Sequence, residues 1–169
     1  MAKRTYSIDT NTPTAVADTV AIANGTYIGA FKGGSGTQRT LIDEIYLGGQ
    51  ATASAPTLMQ LARDSTVGIG AQTGGDDAAL DPATAALAAI VGVGNSFVTS
   101  APQRDAAAKL MHLDFNAFGG IVKWKSLSAD RSDSPVLLGN TASFGEMSLS
   151  AFTGGTPGAM GGHVIYETL

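Results

Sequence analysis

The sequence has 169 residues, enough for one hydrophobic core and short of what two would need. It carries no cysteine, which excludes disulfide staples, thiolate metal sites and cysteine nucleophiles together. Ten Lys and Arg against fourteen Asp and Glu give a formal charge of −4, which argues against general nucleic-acid binding through phosphate neutralisation, and only 14% of the residues are charged.

Residues 1–23 are rich in Thr and Ala, with few large apolar side chains before Val16, Val20 and Ile22. Such a segment offers too little apolar area to offset its own ordering entropy, so it reads in one of two ways. It is an N-terminal arm that lies on another surface, adding a strand to a neighbour's sheet edge, or an edge strand of its own domain. The charges of Lys3 and Arg4 are not followed by a continuous apolar run, so no secretory signal is expected. The domain proper then covers residues 24–169.

From Asn24-Gly25 onward, apolar residues recur mainly at period two, in short runs between Gly, Pro, Asn, Ser and Asp clusters, which predicts strands with one buried face. Tyr27 to Lys32 is the first, and Arg39 to Leu47 the next. In the second, Leu41, Ile45 and Leu47 share a face with Asp43, while Ile42 and Tyr46 flank Glu44 on the other. Both faces are mixed, and a subunit boundary would account for that. Pro56 to Asp64 predicts a further strand. Asp81-Pro82 followed by Ala-rich sequence predicts one short helix over 82–89, with Asp81 as cap and Pro82 in its first turn. The most apolar segment, Ala83 to Val93, is too short to span a hydrocarbon core of about 30 Å, so a soluble protein is expected.

The clearest alternation puts Met111, Leu113, Phe115 and Ala117 inward against His112, Asp114 and Asn116. Phe118-Gly119-Gly120 then predicts a tight turn, after which Val122 and Trp124 resume the inward face with Lys123 and Lys125 outward. Met147, Leu149 and Ala151 alternate with Glu146, Ser148 and Ser150. At the C-terminus, Val164 and Tyr166 oppose His163, Ile165 and Glu167, so the chain is expected to close on a strand within the sheet.

Catalytic and ligand-binding signatures are sparse. Lys32-Gly33-Gly34-Ser35-Gly36-Thr37-Gln38-Arg39 lacks the lysine and hydroxyl residue that a phosphate-cradling loop needs after its last glycine, and reads as a hairpin loop. His112 and His163, far apart in sequence, read as surface or interface histidines and not as metal ligands. Asp76, Asp77 and Asp81 lack the closing glutamate of a calcium loop and read as a solvated acidic loop. Gly-x-Ser-x-Gly does not occur. Asp43 and Glu44, adjacent in a strand, are expected to face opposite ways, and Asp130 and Asp133 flank Arg131 in a turn with local ion pairing. Trp124 reads as a core anchor. No cofactor and no metal site is expected.

The stretch Glu44 to Thr57, the phrase Leu61-Ala62-Arg63-Asp64-Ser65-Thr66 and the tail Leu149 to Gly158 resemble small virion structural proteins of tailed phages. That resemblance implies an all-β, single-domain antiparallel sandwich, jelly-roll-like, that forms trimers and decorates or cements the capsid without enzymatic activity. The expected partners are the major capsid protein and further copies of the chain, with no nucleic acid and no membrane. The expected location is the outer capsid surface of the virion, after assembly in the host cytoplasm. Lys3, Arg4, Tyr6, Ile42, Tyr46 and Phe152 are the expected capsid or subunit contacts. Two other readings compete. One is a tail- or fibre-associated module that recognises a host glycan through Trp124, Tyr46 or Tyr166; the other is a small hydrolase using Ser or Asp with His112 or His163.

Overall fold

Short runs of β-branched, aromatic and aliphatic residues, punctuated by glycine, build the strands of this chain. The computed structural model describes residues 4–9, 27–31, 39–66, 72–73, 78–83, 96–97, 102–138, 145–151 and 158–169, and among them there is no helix. The strands of the first half are β1 (Arg4–Asp9), β2 (Tyr27–Phe31), β3 (Arg39–Gly49), β4 (Pro56–Thr57), β5 (Met59–Thr66), β6 (Gln72–Thr73) and β7 (Ala78–Ala79). Those of the second are β8 (Ser96–Phe97), β9 (Gln103–His112), β10 (Phe115–Asn116), β11 (Ile121–Lys125), β12 (Val136–Leu138), β13 (Met147–Ala151) and β14 (Met160–Thr168).

All strand pairings among the described residues are antiparallel. Sheet A runs β11-β3-β14-β1-β7, with β12 pairing β3 further along the same strand, and sheet B runs β2-β13-β5-β9. One buried cluster takes Ile42, Ile45, Leu47, Leu137, Val164 and Tyr166 from sheet A and Phe31, Met59, Leu61, Met147 and Leu149 from sheet B. Each such side chain, fully removed from water, contributes about 1.5–3 kcal/mol. The half-buried Arg63 also ties the sheets together, its guanidinium donating to the Val136 carbonyl at 3.0 Å.

β1 lies between β14 and β7, in register from Arg4 opposite Thr168 to Asp9 opposite His163. The rest of residues 1–23 lies outside the described residues. So do residues 84–89 of the expected helix. At its start, Asp81–Ala83 form a bend and turn in which the Asp81 carboxylate accepts the Ala83 amide at 2.9 Å.

The mixed faces of β3 have a local cause. Ile165 pairs with Glu44 and Tyr166 with Ile42, so Asp43 is an extra residue opposite no partner in β14. This bulge shifts the side-chain phase by one. Ile42 and Ile45 are both buried, at 1% and 0% exposed, and Asp43 and Glu44 come out on the same side of the sheet. The sequence expectation that the two carboxylates face opposite ways is therefore corrected, and no subunit boundary is needed to explain the apolar residues of β3.

A second correction concerns β13. Glu146, Ser148 and Ser150 were expected on a wet face, yet all three are buried, as are Gln60, Asp64 and Arg104. Register places Gln60 opposite Ser150 and Ala62 opposite Ser148, so these polar groups share the face of sheet B that points away from Leu61 and Leu149. Hydrogen bonds link several of these buried polar groups. Ser148 Oγ bonds Asp64 Oδ1 at 2.7 Å, and Arg104 Nη1 reaches Gln60 Oε1 at 3.3 Å and Ser150 Oγ at 3.2 Å.

Candidate interaction surface

Sheet A turns a polar, aromatic face outward, away from the core. Tyr46 sits opposite Lys123 on one side and His163 on the other, so the three residues form a row across β11, β3 and β14. The Tyr46 and His163 rings are stacked, with centroids 5.2 Å apart and planes 16° from parallel. Glu44 lies diagonally, 2.9 Å from Lys123 Nζ and 3.6 Å from His163 Nε2. Burial pushes the Glu44 carboxyl up, but Lys123 and His163 outweigh it and hold it below its usual range.

The bulge gives this face its second charged group. Arg131 pairs with Asp43 at 3.2 Å and also with Glu167, so it is bound to two strands and not to its sequence neighbours Asp130 and Asp133. Those two instead cap backbone amides of the 126–134 loop. Asp133 accepts from Ser126 Oγ at 2.6 Å and from the Leu127 amide at 2.9 Å, and Asp130 accepts from the Ser132 amide at 3.2 Å. The expected local ion pairing is thus replaced by a long-range one. Burial raises the Asp43 carboxyl above its ordinary value, with Lys125 pulling it back.

Beside this face a rigid turn projects. Asn116 Oδ1 accepts the Phe118 amide at 2.9 Å and the Ala55 amide at 3.0 Å, while its Nδ2 donates to Ser54 Oγ at 2.9 Å. Gly119 takes φ +70°, where a Cβ is disfavoured. Gly49 N donates to Gly120 O, Ala51 N to Ala117 O and Ala117 N to Ala55 O, at 2.8, 3.0 and 2.9 Å. The turn therefore holds Phe118 and Ile121 in fixed positions, 58% and 65% exposed. Asn116→Ala removes three hydrogen bonds and is expected to cost about 2 kcal/mol in denaturant unfolding, with Asn116→Asp recovering part of it because both amides keep their acceptor.

Of the expected contact residues, Tyr46 stands half-buried on the outer face of sheet A, and Ile42 belongs to the core at 1% exposed. Arg4 and Tyr6 lie in β1, Tyr6 in register with the buried Tyr166 and with Ala79. Lys3 and Phe152 lie outside the described residues. Ile42 and Tyr46 thus lie on opposite faces of sheet A, Ile42 inward and Tyr46 outward. Trp124 is half-buried and packed against the core, which matches its reading as an anchor, and Tyr166 is 2% exposed, which removes it as a stacking surface. His112 Nε2 lies 3.1 Å from Gln60 Nε2, and His163 is engaged with Tyr46 and Glu44. Among the described residues, no three His, Cys, Asp or Glu side chains are placed to hold a metal ion.

Sequence reading missed the Glu44–Lys123–His163 cluster, because alternation within one strand does not give register between strands. It also missed the Asp64–Glu146 pair. No local signal marks it: Asp64 follows Arg63 in β5 and Glu146 stands just before β13, and the two meet only through the pairing of β5 with β13. No protein-family model matches the chain, and comparison with the curated proteins and with the solved structures finds no match for it.

Proposed function

We propose that this chain is a non-enzymatic structural protein of a tailed-phage virion, which decorates the outer capsid surface as a homotrimer bound to the major capsid protein. In this reading the two sheets pack as a jelly-roll-like sandwich. The supporting observation is the preorganised turn at Ala117–Gly120 with Phe118 at its tip. Two of the three stretches that resemble virion proteins meet at it: residues of the Glu44 to Thr57 stretch bond the turn, and the Cβ position of Gly158 lies 2.6–3.0 Å from Ala51, Ala55 and Ala117. A rigid apolar projection binds without the entropic penalty of ordering a loop. A lattice then multiplies moderate contacts through high effective concentration.

The test is sedimentation of the purified protein, followed by titration onto undecorated heads. A trimer and saturable binding are expected. Phe118→Ser alters an exposed site, so thermal stability is expected within about 0.5 kcal/mol of wild type. Affinity for heads is expected to fall at least tenfold, since burying most of a phenyl ring is worth about 1.5–3 kcal/mol. A monomer without affinity for heads, or a Phe118→Ser variant that binds as wild type, rejects the proposal.

A further inference from the structure

We propose that the outer face of sheet A carries a binding site for a neutral oligosaccharide, seated on the bare backbone of Gly48 and Gly161 beside the stacked Tyr46–His163 pair. This site adjoins the turn through Gly49 and Ile121 but does not use Phe118, and it stands whether or not the chain forms a trimer.

A shallow, open groove of about 670 Å³ runs over this face, within the size range of ligand sites. Gly48 and Gly161 pair directly across β3 and β14, two residues from Tyr46 and His163 and on the same side. Two other glycines of the groove are demanded by the backbone. A Cβ on Gly49 would stand 2.1 Å from the Ala117 carbonyl oxygen, and one on Gly162 the same distance from that of Tyr46. Gly48 and Gly161 have no such excuse. A Cβ on Gly48 would make ordinary 3.5 Å contacts with the Tyr46 ring, and one on Gly161 would meet only the movable Gln50 amide, at 3.2 Å. Glycine within a strand weakens it and often marks a bulge, a tight bend or close approach by a ligand or another backbone; the β3–β14 register is regular at Gly48 and Gly161, and only the Tyr46 ring lies along the vacant position at Gly48.

The lining selects the ligand chemistry. The Tyr46 ring and hydroxyl lie along the shelf, the Gln50 amide stands at its rim, and Ile121 and Leu80 are 65% and 57% exposed at its sides. An apolar small molecule needs a concave site that encloses most of its surface, and this groove is open. A phosphate or other anion needs a free cation, but Lys123 is paired with Glu44, whose own charge repels anions. A cation would have to compete with Lys123 and His163 for Glu44. A pyranose ring fits what remains. Its C–H face packs on an aromatic ring and on Ile121, and its hydroxyls exchange hydrogen bonds with an amide and a phenol, each able to donate and accept.

The test is an amide-shift titration of the full-length protein with neutral gluco-, manno-, xylo- and chito-oligosaccharides. At least one is expected to move the Gly48 and Gly161 resonances saturably at millimolar concentration or below. Gly161→Val and Gly48→Thr place a strand-forming side chain on the shelf and are each expected to weaken that binding at least tenfold with the fold retained. Tyr46→Phe keeps the stack and is expected to cost a few-fold. The proposal is overturned if no probe shifts those two resonances, or if both shelf variants bind as wild type. Shifts that follow protein concentration and ignore sugar assign the face to a second copy of the chain, and overturn it as well.

Discussion

Asp64→Asn is expected to make the protein more stable at pH 8 and to remove most of its loss of stability between mildly acidic and mildly alkaline solution. Asp64 is fully buried beside Glu146, joined to it through the Asp64 amide and the Glu146 carbonyl at 3.0 Å as well as through their carboxyl groups. Burial pushes its carboxyl up to about 9; the Ser148 hydrogen bond and Arg104 oppose the shift, and the neighbouring Glu146 adds to it. Two buried carboxyls this close cannot both ionise cheaply, so the native pair keeps a proton and titrates as a unit.

The direction of the effect follows from proton counting. The unfolded chain releases this proton near pH 4, whereas the native state holds it until about pH 9. Between those values the unfolded state binds fewer protons, so stability falls as pH rises, by at most about 1.4 kcal/mol per pH unit. The stabilisation is fully present below pH 4 and is gone once pH passes the native value. From pH 5 to pH 8 the wild type is expected to lose up to about 4 kcal/mol, read as a falling urea midpoint at constant m. Asparagine has nearly the same shape, carries no ionisable proton and donates to Glu146, so its midpoint is expected to stay nearly level across that window. A wild-type midpoint that rises from pH 5 to pH 8, or an Asp64→Asn curve parallel to wild type, contradicts a shared buried proton.

Gly49→Ala is the second substitution with a large expected effect. A methyl group there would lie 2.1 Å from the oxygen and 2.4 Å from the carbon of the Ala117 carbonyl. That carbonyl cannot simply step aside. It accepts the Ala51 amide at 3.0 Å, and Gly49 itself donates to Gly120 at 2.8 Å, so relief of the clash breaks bonds on both sides of the turn. Destabilisation of about 3 kcal/mol or more is expected, which for a chain of this size lowers the melting temperature by about 6–12 °C. Gly119→Ala is the control. It sits in the same turn at φ +70° with nothing within 4 Å of its Cβ position, so only the backbone preference is lost, about 1–2 kcal/mol. Equal losses at the two positions would mean that contact with Ala117 does not matter.

Period-two patterning alone makes several parts of the fold legible. Leu113 and Ala117 are buried, Met111 and Phe115 pack partly against the core, and His112, Asp114 and Asn116 are exposed, as alternation requires. β11 likewise turns Lys123 and Lys125 outward, with Val122 and Trp124 packed against the core. Where a strand has a bulge or lies in the middle of a covered sheet, the same rule misleads. Asp43 is such a case, because one unpaired residue reverses the phase for everything beyond it. Glu146, Ser148 and Ser150 are another, because alternation shows which residues share a face and is silent about what covers that face.

The candidate site divides along the same line. The sequence singled out Tyr46 and a tight turn at Phe118-Gly119-Gly120, since ring-bearing residues in strands and paired glycines are local signals. It could not show that Tyr46 stacks on His163, over a hundred residues later, or that Gly48 lies opposite Gly161 to leave the sheet bare.

What the sequence by itself determined is the β class, the inward positions of its regular strands and the absence of any thiol chemistry, because these depend on residue type and spacing along one chain. Only the tertiary structure decided what each carboxylate meets: Asp43 meets Glu167 through Arg131, Glu44 meets His163, and Asp64 meets Glu146. Those pairings depend on strand order and register, which are set by long-range packing, and a charge or a proton responds to distance in space and to burial, not to separation along the chain.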